Sequence, residues 1–367
     1  MVFTGDIMGH DTQIASALAT GEPGYDYRPC FQYLEPYLQQ ADLVVGNLEV
    51  TLAGPPYKGY PRFSSPDELA DALKEAGFDI LVTANNHALD RGTEGLIRTQ
   101  QQLHQRELLF TGTFTDGDQR KYYYPLLFEK NGIRVALLNY TYSTNGLKVK
   151  PPAIVNSIDT ALIRSDLFRS ATGEPDFILV AMHWGGEYQL TESARQRELA
   201  RFLFNHGADA ILGSHPHVVQ PVRGRGKGSL VAYSMGNLIS NQRKRYRDGG
   251  ILVELQLVKE WEHPADPPAG ADSGLSAGMK PGAAGKTFIA GHSYLPVWVW
   301  KPVTRKGTLF TLVPASIDPS TLPGPLMTAA DRATMAQFLR DTRKQLKGQT
   351  EITPWWIGGR RTIATLR

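Results

Sequence analysis

Carboxylates, amides and imidazoles recur in this chain directly after short apolar runs: Asp6, Asn47 with Glu49, Asn85-Asn86-His87, His183, His215-Pro216-His217 and Asn237. Oxygen and imidazole donors without thiolate suit borderline or hard divalent ions such as Mn²⁺, Zn²⁺, Fe²⁺ or Mg²⁺. In an extended segment His215 and His217 face one side together, and Pro216 between them keeps the backbone out of helix. Asn86 and His87, being neighbours, point differently, which suits one ligand and one proton donor.

Taken singly, each residue has an ordinary reading. A histidine after a strand commonly serves as a hydrogen-bonding group. Asp6 could cap the helix beginning near Asp11 or sit in a turn. Asn85-Asn86 reads as a loop with left-handed backbone, and Gly46, Gly213 and Gly236 read as turn glycines. The shared placement of all of them, at one edge of one inferred sheet, points to a metal site. His10, on the first turn of a helix, is an outside candidate.

The elements that must position these groups are legible over the first 257 residues. Apolar runs at Val2-Phe3, Leu43–Val45, Ile80–Val82, Val135–Leu138, Phe177–Ala181, Ala210–Leu212 and Leu230–Tyr233 alternate with helical stretches. That alternation predicts an α/β layered fold, in which ligands bind beyond the carboxyl ends of the strands. Ser65, Pro66 and Glu68 read as a capping box ahead of the stripe Leu69, Leu73, Ala76, with Gly77 as the stop. Further helices are expected over Asp11–Leu18, over Ser157–Phe168, and from near Thr191 to Gly207 with Leu199, Phe202 and Leu203 inward. The Pro/Gly/Ala-rich stretch 258–293 reads as a loop or linker. Beyond it, residues 294–367 supply strands at Tyr294–Trp300 and Thr308–Val313 and a helix from Thr328 to Leu346, packed on the main domain.

Composition narrows the function classes. The 367 residues are 41% hydrophobic and 20% charged, as in a globular protein with a sizeable core. Lys plus Arg number 39 against 36 acidic residues, a net +3 that gives no reason to expect nucleic acid as a partner. The basic run Arg243-Lys244-Arg245 reads as solvated loop charge. One cysteine, Cys30, excludes an internal disulfide framework. Because Val2–Asp6 already reads as a core strand, we expect a targeting segment upstream and an extracytoplasmic location, in the periplasm or at the cell surface.

The strings GDIMGH, ADLVVGNLEV, ILVTANNHALDRGTEGL, MHWGGEY, GADAILGSHPHVVQPV and AYSMGNLIS, in that order, resemble the CapA-like poly-γ-glutamate capsule biosynthesis family of the calcineurin-like metallophosphatase superfamily. The resemblance covers about residues 2 to 257. It implies a four-layer αββα sandwich of metallophosphatase type, here with a small C-terminal β/α appendage. It implies Asp6, Glu49, Asn86, His183, His215 and His217 as ligands of one or two divalent ions. His87 would face the leaving group, with Asp90 either orienting it or capping a helix. Asn47 and Asn237 follow as supporting or substrate-contacting groups, and Arg62 and Arg91 either pair with an anionic substrate or are plain surface arginines. Two positions depart from the superfamily pattern. Met8 stands where a histidine belongs, and Asn47 where an aspartate belongs, so Glu49 must supply any bridging carboxylate and one metal position is short of a ligand.

The expected function is a metal-dependent hydrolase in which activated water attacks an anionic polymer or phosphoester, linked to poly-γ-glutamate synthesis, export or anchoring and to membrane-associated capsule machinery. The alternatives are a non-catalytic envelope protein that binds or hands over polyglutamate, and amide-bond chemistry on the polymer.

Overall fold

Successive side chains of the strands enter different cores, and this alternation builds the layers. Phe3, Val45, Ile80 and Val82 meet Leu137, Leu179, Ala181 and Leu212 in one buried cluster. Their neighbours Val44 and Leu81 point the other way, onto Leu69, Leu73 and Leu103 of helices. Leu138, Val180 and Ile211 likewise turn away, onto Ile163, Leu167, Leu199 and Leu203. Two sheets therefore pack face to face with helices outside both, the αββα arrangement that the resemblance implied. The computed structural model describes residues 1–18, 24–225, 228–261, 285–304 and 307–357.

The strands of the two sheets are, in chain order, β1 (Val2–Ile7), β2 (Val44–Leu48), β3 (Ile80–Val82), β4 (Leu109–Thr111), β5 (Leu126–Lys130), β6 (Ile133–Thr141), β7 (Phe177–His183), β8 (Ala210–Ser214), β9 (Val222–Arg225), β10 (Ser229–Ala232), β11 (Asn237–Ile239), β12 (Gly249–Trp261), β13 (Gly285–Trp300) and β14 (Thr311–Pro314). The larger sheet runs β14-β13-β12-β1-β2-β3-β4, with β11 also paired to β1. The smaller runs β9-β10-β8-β7-β6-β5. Strands β1 to β4 are mutually parallel, as are β6, β7, β8 and β10. Each sheet thus presents a row of carboxyl ends on one side.

The principal helices are α1 (Asp11–Leu18), α2 (Glu68–Glu75), α3 (Gly92–Gln105), α4 (Thr160–Thr172), α5 (Ala194–Asn205) and α6 (Ala329–Gln345). α5 starts on a capping box between Ser193 and Gln196, and α6 on one between Thr328 and Asp331. No helix among the described residues is long and apolar enough to cross a membrane.

Several local expectations need correction. The box at Ser65 does not form: α2 is entered at Asp67, whose carboxylate is taken by Arg98, and Ser65 Oγ has no partner. Gly46 and Gly213 lie inside strands rather than turns. At Gly213 a Cβ would stand 2.0 Å from the Tyr233 carbonyl oxygen, so close strand packing demands the glycine there. Over 258–293, strand pairing continues through Trp261 and resumes at Gly285, where Trp261 and Gly285 are partners, and residues 262–284 lie outside those described. β13 and β14 extend the main sheet by direct hydrogen bonding. α6 packs Met335 and Phe338 on Trp298 and Trp300 of β13.

Candidate metal centre

Register places the first groups. Asp6, at the end of β1, has Asn47 of β2 as its partner on one side and Asn237 of β11 on the other. His183, ending β7, is flanked by Ser214 and Thr141. The carboxyl edges of the two sheets meet at these residues. Asn47 Nδ2 donates to Asp6 Oδ1 at 2.9 Å and to Glu49 Oε2 at 3.2 Å, and lies 3.4 Å from His183 Nδ1. Asn86 Oδ1 is 2.8 Å from His183 Nε2.

His217 stands with Nδ1 2.9 Å from Asp6 Oδ2 and 3.1 Å from Asn237 Oδ1. Both neighbours are acceptors, so the proton sits on Nδ1, and the bare Nε2 faces Glu49 Oε1 at 3.7 Å. A carboxylate that fixes one imidazole nitrogen while the other is offered to a cation is the usual support of a histidine ligand. The two histidines of the His-Pro-His segment do not reach the site through an extended backbone. His215 has φ +96° and His217 φ +56°, both left-handed, a conformation costing about 1–3 kcal/mol for a residue with a Cβ. Asn85 and Asn86, expected to be left-handed, are not among the residues with positive φ. Asn85 instead ties its loop down, donating to the Leu48 carbonyl at 2.7 Å and accepting from the His87 backbone N–H at 3.1 Å.

Glu49 is the centre of the arrangement. It is fully buried, and its Oε1 has no hydrogen-bond partner. That oxygen lies 3.6 Å from His183 Nε2 and 3.7 Å from His217 Nε2. Glu49 belongs to both candidate cation clusters, one with His215 and His217, the other with Asp6 and His183. Among the described residues no lysine or arginine forms an ion pair with Glu49 or Asp6; only histidines do. Burial, and then the neighbouring Asp6, push the Glu49 carboxyl well above its ordinary range. Burial, with other imidazoles beside it, holds His183 well below its ordinary value. The same causes bring His215 down to about 3, and its Nδ1 is a second orphaned atom. A buried carboxyl oxygen left without a hydrogen-bond partner, 3.6 and 3.7 Å from two imidazole nitrogens, is a costly arrangement for the chain by itself. A divalent ion resolves it, so the residues present fit the group.

His87 forms a separate unit beside this cluster, close enough for its charge to depress both His183 and His215. Its Nδ1 is 2.7 Å from Asp90 Oδ2, which also accepts from the Phe63 backbone N–H at 2.7 Å. The Phe63 ring meets His87 edge-on at 4.7 Å. Asp90 therefore orients His87. It does not cap α3, whose entry residue is Arg91.

The remaining candidates fall outside. Arg91 donates to the Pro56 carbonyl at 2.9 Å. Arg62 is exposed on the loop before Phe63 and has no ion pair among the described residues. His10 places Nδ1 against Gln13 Oε1 at 2.9 Å and belongs to neither cluster. His292, expected in the linker, is part of β13.

Sequence reasoning overlooked the aromatic rim. Tyr142, 45% exposed, sets its ring 4.5 Å from His215. Tyr188 lies 6.2 Å from His217 and carries the Arg247 guanidinium on its ring at 3.2 Å. Only a residue type without periodic context marked these positions in the sequence, and that is too weak a signal.

The histidine shifts have a sign that can be tested. Between about pH 3 and 6.5 the unfolded chain protonates position 215 and the folded chain does not. Stability present above 6.5 is therefore lost as the pH falls through that window. In chelator, thermal unfolding from pH 7 to 4 is expected to show a steep fall for the native sequence and a shallower one for His215→Gln.

The family described as bacterial capsule synthesis protein PGA_cap matches residues 1–242. The chain is 31% identical over 271 residues to capsule biosynthesis protein CapA of Bacillus anthracis, covering 70% of this chain and 63% of that protein. It is 32% identical over 269 residues to PGA biosynthesis protein CapA of Bacillus subtilis (strain 168), covering 70% and 67%. The match thus spans less than two thirds of the Bacillus anthracis protein. Among solved structures, the calcineurin-like phosphoesterase YfkN of Bacillus subtilis aligns with a TM-score of 0.43 at 11% identity, over 94% of this chain and 96% of that one. The 5'-nucleotidase of Candida albicans aligns with a TM-score of 0.45 at 13% identity, over 94% and 58%.

Proposed function

The chain belongs to the bacterial capsule synthesis protein family PGA_cap, and from that membership we propose that it is an extracytoplasmic, metal-dependent hydrolase acting on an anionic substrate of capsule metabolism. The observation that carries this reading is Glu49 Oε1, buried without a partner between two imidazole nitrogens. Glu49, Asp6, Asn86, His183, His215 and His217 would hold one or two divalent ions. A divalent ion bound there supplies Lewis-acid charge and a water that ionises near neutral pH.

The chain's own groups do the rest. Asp6 and Asn237 keep the His217 proton on Nδ1 and leave Nε2 free. Asn47 Nδ2 donates to both Asp6 and Glu49, offsetting part of the repulsion between two neighbouring carboxyl groups. Asp90 holds the His87 ring through Nδ1, which leaves the other ring nitrogen as the one that would donate to a departing oxygen. Phe63, through its backbone N–H and its ring, fixes both partners of that dyad.

The test is elemental analysis of the purified protein followed by 4-nitrophenyl phosphate hydrolysis with added Mn²⁺, Zn²⁺, Fe²⁺ or Mg²⁺. We expect about one to two ions per chain and turnover that chelator abolishes. Stoichiometric metal without turnover on any phosphoester would replace the hydrolase with a protein that binds or hands over the polymer. Shortened polyglutamate after incubation would move the chemistry to the amide bond.

A further inference from the structure

We propose that Arg247, laid on Tyr188 at the rim of the carboxylate–histidine cluster, forms a second anion subsite, so that the substrate carries an acidic group apart from the one that reacts. The proposal rests on the assigned function only in taking the cluster as the place where the reacting group sits.

Several independent contacts fix this arginine. Its backbone carbonyl accepts from Asn237 Nδ2 at 2.8 Å, and Asn237 Oδ1 in turn is 3.1 Å from His217 Nδ1. Its guanidinium lies 3.2 Å over the centre of the Tyr188 ring. The Tyr188 backbone N–H donates to the Pro216 carbonyl at 2.8 Å, so the residue is anchored to the His-Pro-His segment itself. The arginine is half-buried, and no carboxylate among the described residues pairs with it. The nearby arginines are used otherwise: Arg245 binds Asp341 and Arg243 donates to the Val299 carbonyl.

A guanidinium covered on one face by an aromatic ring keeps its charge and its in-plane N–H groups. Those N–H groups suit an oxyanion, and a carboxylate or phosphate can accept two of them at once. A lysine in this place would lack both the stacking plane and the fork. The position, one ring removed from His217, is a spacing for a group attached to the reacting centre rather than for the centre itself.

The two oxyanion sources are separated by probe. Binding to the metal-loaded protein is measured calorimetrically for tri-γ-glutamate, its triglutamine counterpart, butane-1,4-diol bisphosphate and the corresponding monophosphate, with Arg247→Met and Arg247→Lys beside the native sequence. Methionine keeps the contact with Tyr188 and removes the charge. We expect Arg247→Met to weaken the doubly anionic probe of the right class about 10- to 100-fold, with the triglutamine and monophosphate affinities changed far less and Arg247→Lys intermediate. Loss confined to tri-γ-glutamate assigns a carboxylate, and loss confined to the bisphosphate assigns a phosphate. Equal affinities in the native and Arg247→Met proteins, at equal metal content and thermal midpoint, overturn the subsite, as does failure of the native protein to bind any acidic probe. An Arg247-dependent affinity in a protein without hydrolytic turnover would remove the hydrolase and leave the subsite standing.

Discussion

Glu49→Gln is expected to lose all tightly bound metal while the protein stays folded. The amide keeps the shape of the carboxyl group, but it removes the one charge common to both cation clusters. Two thermal measurements then cross. With saturating metal the native protein gains roughly 4 kcal/mol at a thousandfold excess over Kd, a gain the variant cannot have. In chelator the order reverses. The native Glu49 carboxyl is raised by burial and by Asp6, so the folded chain holds its proton more tightly than the unfolded chain does. Stability contributed by that proton is lost as the pH rises above the ordinary carboxylate range. Glutamine does not titrate, so above neutral pH the metal-free variant should unfold at a higher temperature than the metal-free native protein. A variant that still binds stoichiometric metal, or is less stable in chelator at alkaline pH, would refute the central role given to this residue.

His87→Asn is expected to lower kcat by about 10²–10⁴-fold with metal content unchanged, the range for loss of a general acid. His87 is not in either cation cluster, and its Nδ1 is committed to Asp90. Leaving-group dependence identifies the role. Esters of poor leaving groups need the proton and should suffer most, whereas 4-nitrophenyl esters should suffer least. Asp90→Asn should fall between the native protein and His87→Asn, because an amide oxygen can still accept from the ring nitrogen but holds it less firmly than a carboxylate does. Equal losses across leaving groups would demote His87 to a binding residue.

The helices illustrate what a local window can and cannot reveal. α1 occupies the stretch expected from its pattern, and the ends of α6 fall at Thr328 and Leu346, since apolar spacing, caps and stop residues act within a few positions. Ser65 failed as a cap because the competing interaction is tertiary. Asp67 is bound by Arg98, 31 residues away, and this sets where α2 begins. Likewise the Pro/Gly/Ala content around residue 270 suggested a long linker, whereas β12 and β13 pair from Gly249–Trp298 to Trp261–Gly285. The flanking strand residues carry too little apolar alternation to announce themselves, and their hydrogen bonds to each other supply the order.

By itself the sequence determined which residues end strands and which chemical types stand there, because side-chain period and turn chemistry are properties of neighbouring residues. It placed Asp6, Asn47, Glu49, Asn86, His183, His215, His217 and Asn237 at one edge on those grounds. Only the tertiary structure decided how they divide the work. His217 is 211 residues from the Asp6 that orients it, Asn86 is 97 from His183, and Arg247 meets Tyr188 across a fold between distant loops. Which oxygen remains unpaired, which imidazole nitrogen is bare and which arginine faces the rim follow from sheet register and from the packing of two sheets. Neither is encoded within any short stretch of chain.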